Sequence, residues 1–409
     1  MGPLIRRVAL AAALLGCAED PAPTQPPEET LPEVTEPGPG SDPEPEAPPE
    51  EPADLPAPEA AAPAALGAVP ELTEPGCAFA APAAIGPGEW GDVAASEGGF
   101  VAAVLHADEA GETLTTFRLD PAGGSAPLTE RRLDHPVPPA RRGAGPIVDA
   151  ARVAWVDAER GLHVAPLQGG DPAPVGQPAS LRFTPALVSG GEARAIAWTD
   201  DSGTPMRVRA RRLGADGRPT GEAADLTPSG GGGAAPVAHG EGLVFLDPRA
   251  AMSVAHRASV GPQGFGEAAV ARPVGLVTAP PQIAAIGEPP GLLAFTAVGA
   301  AATTAVGLVP LEGATPAQPI VRGTGYGTLH VDGDGRLLVA DAPLDRPPES
   351  PRELHVHAVG ADGALSEATV IRGPDGHARR GRIASSGELV AVLFEAAGRV
   401  YVSLGRCRP

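Results

Sequence analysis

Val153-Ala154-Trp155-Val156-Asp157 and Ile196-Ala197-Trp198-Thr199-Asp200 are two copies of one phrase, about 43 residues apart. Each is a short, nearly continuous apolar run that an aspartate ends. Such a run is too short for a helix, and its β-branched and aromatic content favours a strand buried on both faces. Weaker copies stand at 101–105, 243–247, 293–296, 337–341 and 389–394. Aligned on Leu105, Trp155, Trp198, Phe245, Phe295, Val339 and Leu393, the copies recur every 43 to 54 residues, roughly. That is the length of a four-stranded β-propeller blade, and seven blades fit.

The sequence around each strong strand agrees. Residues 114–119 lead into Asp120-Pro121-Ala122-Gly123, 208–213 into Gly214-Ala215-Asp216-Gly217, and 354–359 into Gly360-Ala361-Asp362-Gly363. Asp-Gly between extended runs signals a hairpin, because glycine takes positive φ without steric cost. Pro146, Pro185, Pro236 and Pro281 precede strong strands, where a proline can open an inner or edge strand without breaking a ladder. The last repeat is one strand short, offering only 382–384, 389–394 and 399–404. Residues 78–85 are expected to supply the missing strand. That pairing would close the ring and bring Cys77 beside Cys407. In an oxidising compartment the two would form a disulfide, contributing up to roughly 5 kcal/mol in the chain-entropy account.

The apolar strands ending in Trp-x-Asp, followed by the turn Arg211-Arg212-Leu213-Gly214-Ala215-Asp216-Gly217, resemble diverged propeller repeats of envelope and secreted proteins in GC-rich bacteria. The resemblance covers about the last 330 residues and implies an all-β propeller. Gly230 to Gly233, read as a flexible loop, and the stretch 297–308 depart from the pattern. They leave six or eight blades open beside seven, with a pair of β-sandwiches as the second architecture.

The N-terminus is a different kind of sequence. Arg6 and Arg7 precede an apolar stretch, 8–15, too short to span a bilayer. Leu14-Leu15-Gly16-Cys17 then resembles the bacterial lipobox. That resemblance implies a cleaved signal peptide over 1–16 and a membrane anchor of several acyl chains on Cys17. Ala18 in place of Asp favours sorting to the outer membrane. Residues 17–75 follow as a Pro/Glu-rich tether. Its residues 18–75 hold about fifteen of the 50 acidic residues and no arginine. Such a composition cannot bury enough apolar surface to fold, and proline and like charge extend it toward a limit of roughly 180 Å. It suits a spacer that lifts the domain at 76–409 off the membrane. The chain contains no Lys and no Asn, which reflects a GC-rich genome rather than chemistry. Arginines in the folded part are scattered rather than striped, which argues against nucleic acid as a partner.

Site chemistry is sparse. Asp157, Asp200, Asp247 and Asp341 recur at the ends of strong strands, so they can form a cation or ligand rim, or each can satisfy the N–H groups of its own turn. Trp155 and Trp198 lie in the most apolar strands and read as core. Trp90, between Gly88 and Gly91, is the exposed candidate for stacking on a ligand. His355 and His357 share one strand face without a third metal ligand. Asp332-Gly333-Asp334-Gly335 fits a hairpin turn better than half a calcium loop. No nucleophile elbow, phosphate loop, metalloprotease helix or sialidase Asp-box is present, and no metal or cofactor is expected. The sequence thus points to a monomeric, lipid-anchored envelope protein whose propeller binds or scaffolds an envelope protein or glycan without catalysis. A lectin-like glycan binder and a polysaccharide hydrolase or lyase are the alternatives.

Overall fold

The computed structural model describes residues 65–408 apart from 110, 139–140, 190–193, 249–251, 275–281, 288–290, 299–303, 313–319, 323–328, 333–336, 342–351 and 361–363. The expected signal peptide, Cys17, most of the expected tether, Pro281 and residues 333–335 of the expected Asp332–Gly335 turn lie outside the described residues.

Two short strands come first, β1 (Gly76–Phe79) and β2 (Ala83–Pro87). Blade 1 is β3 (Trp90–Ser96), β4 (Gly99–Asp108), β5 (Gly111–Asp120) and β6 (Gly124–Leu133). Blade 2 is β7 (Ile147–Val148), β8 (Arg152–Val156), β9 (Leu162–Pro166) and β10 (Ala173–Gly176). Blade 3 is β11 (Ala186–Val188), β12 (Ala195–Asp200), β13 (Arg207–Leu213) and β14 (Pro219–Asp225). Blade 4 is β15 (Ala234–His239), β16 (Gly242–Asp247) and β17 (Val254–Gly261), its outer edge shared by β18 (Gly264–Phe265) and β19 (Ala269–Pro273). Blade 5 is β20 (Ile283–Ile286), β21 (Leu292–Val298), β22 (Thr304–Pro310) and β23 (Ile320–Arg322). Blade 6 is β24 (Leu329–Val331), β25 (Leu337–Asp341), β26 (Leu354–Ala358) and β27 (Thr369–Ile371). Blade 7 has β28 (Arg379–Ser386), β29 (Leu389–Ala396) and β30 (Arg399–Arg408), and takes its outer edge from β1 and β2.

Each sheet is an antiparallel meander, and each inner strand touches the next until β28 meets β3. The chain is therefore a closed seven-bladed propeller. Every strong strand of the sequence is the second strand of a blade. Those strands are apolar throughout because each is sandwiched between two neighbouring blades. Val153 and Trp155 pack toward Ala103 and Leu105 of blade 1, while Ala154 and Val156 pack toward Ile196 and Trp198 of blade 3. Likewise Leu243 and Phe245 lie against Ala195 and Ala197. A bulky residue on one blade thus meets small ones on the blade before it, which keeps the wedges close-packed. This corrects the sequence alignment in three blades. Val104, Leu338 and Phe394 face the preceding blade, so Leu105, Val339 and Leu393 sit one residue out of phase with Trp155 and Trp198.

The closure follows the expected route. Cys77 lies directly opposite Cys407, and β2 pairs with the first half of β30. A disulfide joins the two cysteines, with Cα atoms 4.1 Å apart. The amide of Cys407 donates to Glu388 on the other side of the strand (2.9 Å), so the cysteines form the closely spaced, non-hydrogen-bonded type of cross-strand pair. Contacts begin earlier than residue 76. The Leu66 amide donates to Gly123 O (3.1 Å), and the Leu66 side chain is buried in the cluster that holds Phe117 and Leu119.

Two proline positions stand as expected, Pro146 and Pro185 immediately ahead of β7 and β11. Pro236 lies inside β15, at the ladder irregularity between Ala234 and Val237. The glycine run is a loop, and its second half is packed against its neighbours. Gly233 N donates to Met206 O (2.8 Å), and a Cβ on Gly232 would stand 2.9 Å from Asp247 Oδ1. Those glycines let the crossover from blade 3 to blade 4 pass close to its neighbours.

Candidate functional site

One face of the ring, here the upper face, is where second strands end and third strands begin. Asp157, Asp200 and Asp247 all reach it, each buried within its own blade. Asp157 accepts from Gly161 N (2.8 Å) and pairs with His163 Nε2 (2.7 Å). Asp200 accepts from the amide and hydroxyl of Ser202 (3.1 and 2.6 Å) and lies 3.0 Å from Arg209 Nε. Asp247 packs beside Gly232. Asp341 ends β25, and its side chain lies outside the described residues. Turn satisfaction is thus what Asp157 and Asp200 do, since their oxygens are spent on local N–H groups and cations. Among the described residues no three His, Cys, Asp or Glu side chains converge as a metal site.

Trp155 and Trp198 are core, 3% and 1% exposed. Trp90 is not the open stacking platform its glycine neighbours suggest. The Arg380 guanidinium lies over its ring, 3.8 Å from the centroid, and its Nε1 is buried. Beside Trp90, a cavity of about 10 Å³ is bounded by Glu89, Glu112 and Arg142. Arg142 comes from the crossover between blades 1 and 2, and its Nη2 donates to Glu112 Oε2 (2.7 Å) with both side chains 2% exposed. The same carboxylate oxygen accepts from Val137 N (3.2 Å). Trp90 Nε1 and Arg142 Nε have no partner there, although Leu105, Ala107 and Val137 make most of the lining apolar.

His355 and His357 share a face of β26 but serve different partners, Glu353 Oε1 at 3.2 Å and Ser366 O at 2.9 Å. Asp332 accepts from Leu337 N (2.7 Å) across the tip it shares with β25, and from the Ser385 hydroxyl. Residues 333–336 between them lie outside the described residues.

Inner strands bring together a cluster that the sequence does not announce. Asp92 (β3), His330 (β24) and Arg382 (β28) come from three blades. Asp92 Oδ2 accepts from Val148 N of blade 2 (2.8 Å). Its Oδ1 is buried without a hydrogen-bond partner, 3.8 Å from Arg382 Nε and 3.9 Å from His330 Nε2. Both donors thus stand just beyond direct hydrogen-bond reach of that oxygen. Burial raises Asp92 to about 6, with Arg382 opposing. Burial, then the Arg382 charge, lowers His330 to about 3. The Ile383 amide donates to His330 Nδ1 (3.2 Å), which leaves the ring proton on Nε2, toward Asp92. No motif carries this cluster, and its three residues lie far apart in the sequence.

A larger cavity, about 260 Å³, opens where the crossover from blade 6 meets the turn between β29 and β30. Asp375, His377, Arg379 and Glu395 line it around the Ala396-Ala397-Gly398 turn. Arg380 Nη1 fixes one wall by donating to Glu395 Oε2 (2.8 Å) and Glu89 O (2.9 Å).

No family model matches the chain, and no curated protein matches it. Among solved structures the chain is similar to BamB from Moraxella catarrhalis, at 12% identity and a TM-score of 0.42, over 83% of this chain and 94% of that one. It is also similar to a puromycin-hydrolyzing peptidase of Mycobacterium tuberculosis, at 15% identity and a TM-score of 0.45, over 76% of this chain and 52% of the peptidase. At such distances neither neighbour says what this chain does, and the propeller assignment rests on its seven sheets and their closed inner ring.

Proposed function

We propose that the chain is an exported lipoprotein of the bacterial envelope, anchored through Cys17, whose propeller binds or scaffolds an envelope component without catalysis. The observation that carries the reading is the Cys77–Cys407 bond. It joins the first strand of the ring to the last, and such a bond forms and persists outside the reducing cytosol. The lipobox-like Leu14-Leu15-Gly16-Cys17 supplies an anchor, and the Pro/Glu tether a spacer, for the same compartment. The ionic side chains of the upper face support the non-catalytic part. Glu112, Asp157 and Asp200 are buried and already engaged, which is how structural carboxylates behave.

The test is fractionation of cells fed an alkyne fatty acid. The full chain is expected in the membrane fraction and labelled, and Cys17→Ala is expected unlabelled and released. A Cys17→Ala protein that stays in the membrane fraction contradicts the anchor. Envelope cross-linking of the intact lipoprotein then identifies the partner.

A further inference from the structure

We propose that the upper-face cavity at the junction of blades 6 and 7 is a binding site for a neutral, hydroxyl-rich ligand, one sugar unit of an envelope glycan. The inference rests on the envelope-binding reading above and names its ligand.

Charge argues for a neutral ligand. Glu395 is paired with Arg380 behind the wall, and the lining otherwise holds one carboxylate, Asp375, and one guanidinium, Arg379, so little net charge remains to select an ion. What remains is a mixed set of acceptors and donors, the complement of neighbouring hydroxyls. The Arg352 amide donates to His377 Nδ1 (3.4 Å), which puts that ring's proton on Nε2 and makes it a further donor.

Of the four non-glycine residues with positive φ among the described residues, two stand here, the others being Arg160 and Ala235. Arg380 and Ala397 have φ of 54° and 47°, left-handed values that side chains with a Cβ rarely adopt. Arg380 is held there by Glu89, Glu395 and the Trp90 face. Ala397-Gly398 is the two-residue connection between β29 and β30, with positive φ at both positions, and asparagine or aspartate is the favoured first residue of such a turn. Alanine at that position forgoes the turn preference and places a methyl in the lining, an apolar patch for the C–H face of a sugar ring. Strain retained where a better turn residue exists marks a working site.

The test uses the full-length protein with its disulfide intact, titrated by calorimetry with three probes: lactose, N,N′-diacetylchitobiose and sialyllactose. A neutral disaccharide is expected to bind more tightly than the anionic one. Arg379→Ala should weaken it about tenfold, with an unchanged Tm, because Arg379 is exposed. Ala397→Asn is the decisive variant. It restores the favoured turn residue, so Tm should hold or rise while binding falls about tenfold as a polar amide replaces the methyl. Failure to bind both neutral probes, or an affinity in both variants unchanged from that of the unmodified protein, overturns the proposal. Lipid labelling of Cys17 on the same preparation keeps the two readings apart. A labelled protein that binds no sugar sinks this inference and leaves the envelope reading standing.

Discussion

Blade 3 is one continuous stretch, residues 186–225, whereas blade 7 assembles residues 379–408 with residues 76–87 from the other end of the folded chain. Both bury the same kind of middle strand. β12 is buried at every position, and β29 nearly so. They differ in how the outer edge is retained. In blade 3 the chain itself delivers β14 to β13 across a short turn. In blade 7 the edge has no such tether, and its backbone pairing with β30 is reinforced by side-chain and covalent contacts. Ser403 Oγ donates to Ala80 O (2.6 Å), the Ala80 amide donates to Leu404 O (2.7 Å), and the disulfide fixes the register. Packing makes the wedge; closing the circle between distant chain segments takes extra bonds, because the loop entropy is large.

Removing the covalent bond should have the largest effect. The double variant Cys77→Ser/Cys407→Ser is expected to lose about 5 kcal/mol in denaturant unfolding. Its hydrogen exchange should rise first in β1 and β30, with β12 still protected. Equal loss of protection in blades 3 and 7 would break the contrast.

Trp198→Ala attacks the contiguous blade instead. It should cost roughly 4 kcal/mol by opening a cavity against blade 2, and leave the disulfide formed. Glu112→Gln comes next, at about 3 kcal/mol, because it strands the buried Arg142 guanidinium between blades 1 and 2. Both values are read from urea melts.

The smallest effects concern pH at the seam where blades 6, 7 and 1 meet the channel. Asp92, raised to about 6 from 3.8, holds its proton longer folded than unfolded, so its contribution to stability falls as pH rises from about 4 to 6. His330, lowered to about 3 from 6.5, resists protonation when folded, so its contribution rises with pH across the window from about 3 to 6.5. The two slopes oppose, and the unmodified protein should be nearly flat between about pH 4 and 6. Asp92→Asn should expose the rising slope and His330→Gln the falling one, measured as Tm against pH. Parallel curves in both variants would show that the pair does not share this environment.

Much of the ring is legible in the sequence because second strands buried on both faces are apolar at nearly every position before their final residues. Trp155, Trp198, Phe245 and Phe295 mark four blades at the right phase. The same double burial hides the phase elsewhere. In 101–105, 337–341 and 389–394 both faces are apolar, so no alternation distinguishes Val104 from Leu105 or Phe394 from Leu393. The missing strand and the terminal cysteines were readable since each lacks a partner nearby in sequence. The channel cluster was not, because Asp92, His330 and Arg382 meet only after seven blades close. The 260 Å³ cavity was hidden for a related reason: its wall joins the crossover at 375–379 to the turn at 396–398, and neither carries a motif.

Ring closure by the two distant ends is the central claim, and non-reducing peptide mapping of the protein tests it most directly. The account predicts a single linked species in which the peptide bearing Cys77 is joined to the peptide bearing Cys407, and which separates on reduction. Recovery of both cysteines as alkylated free thiols under native conditions would contradict it.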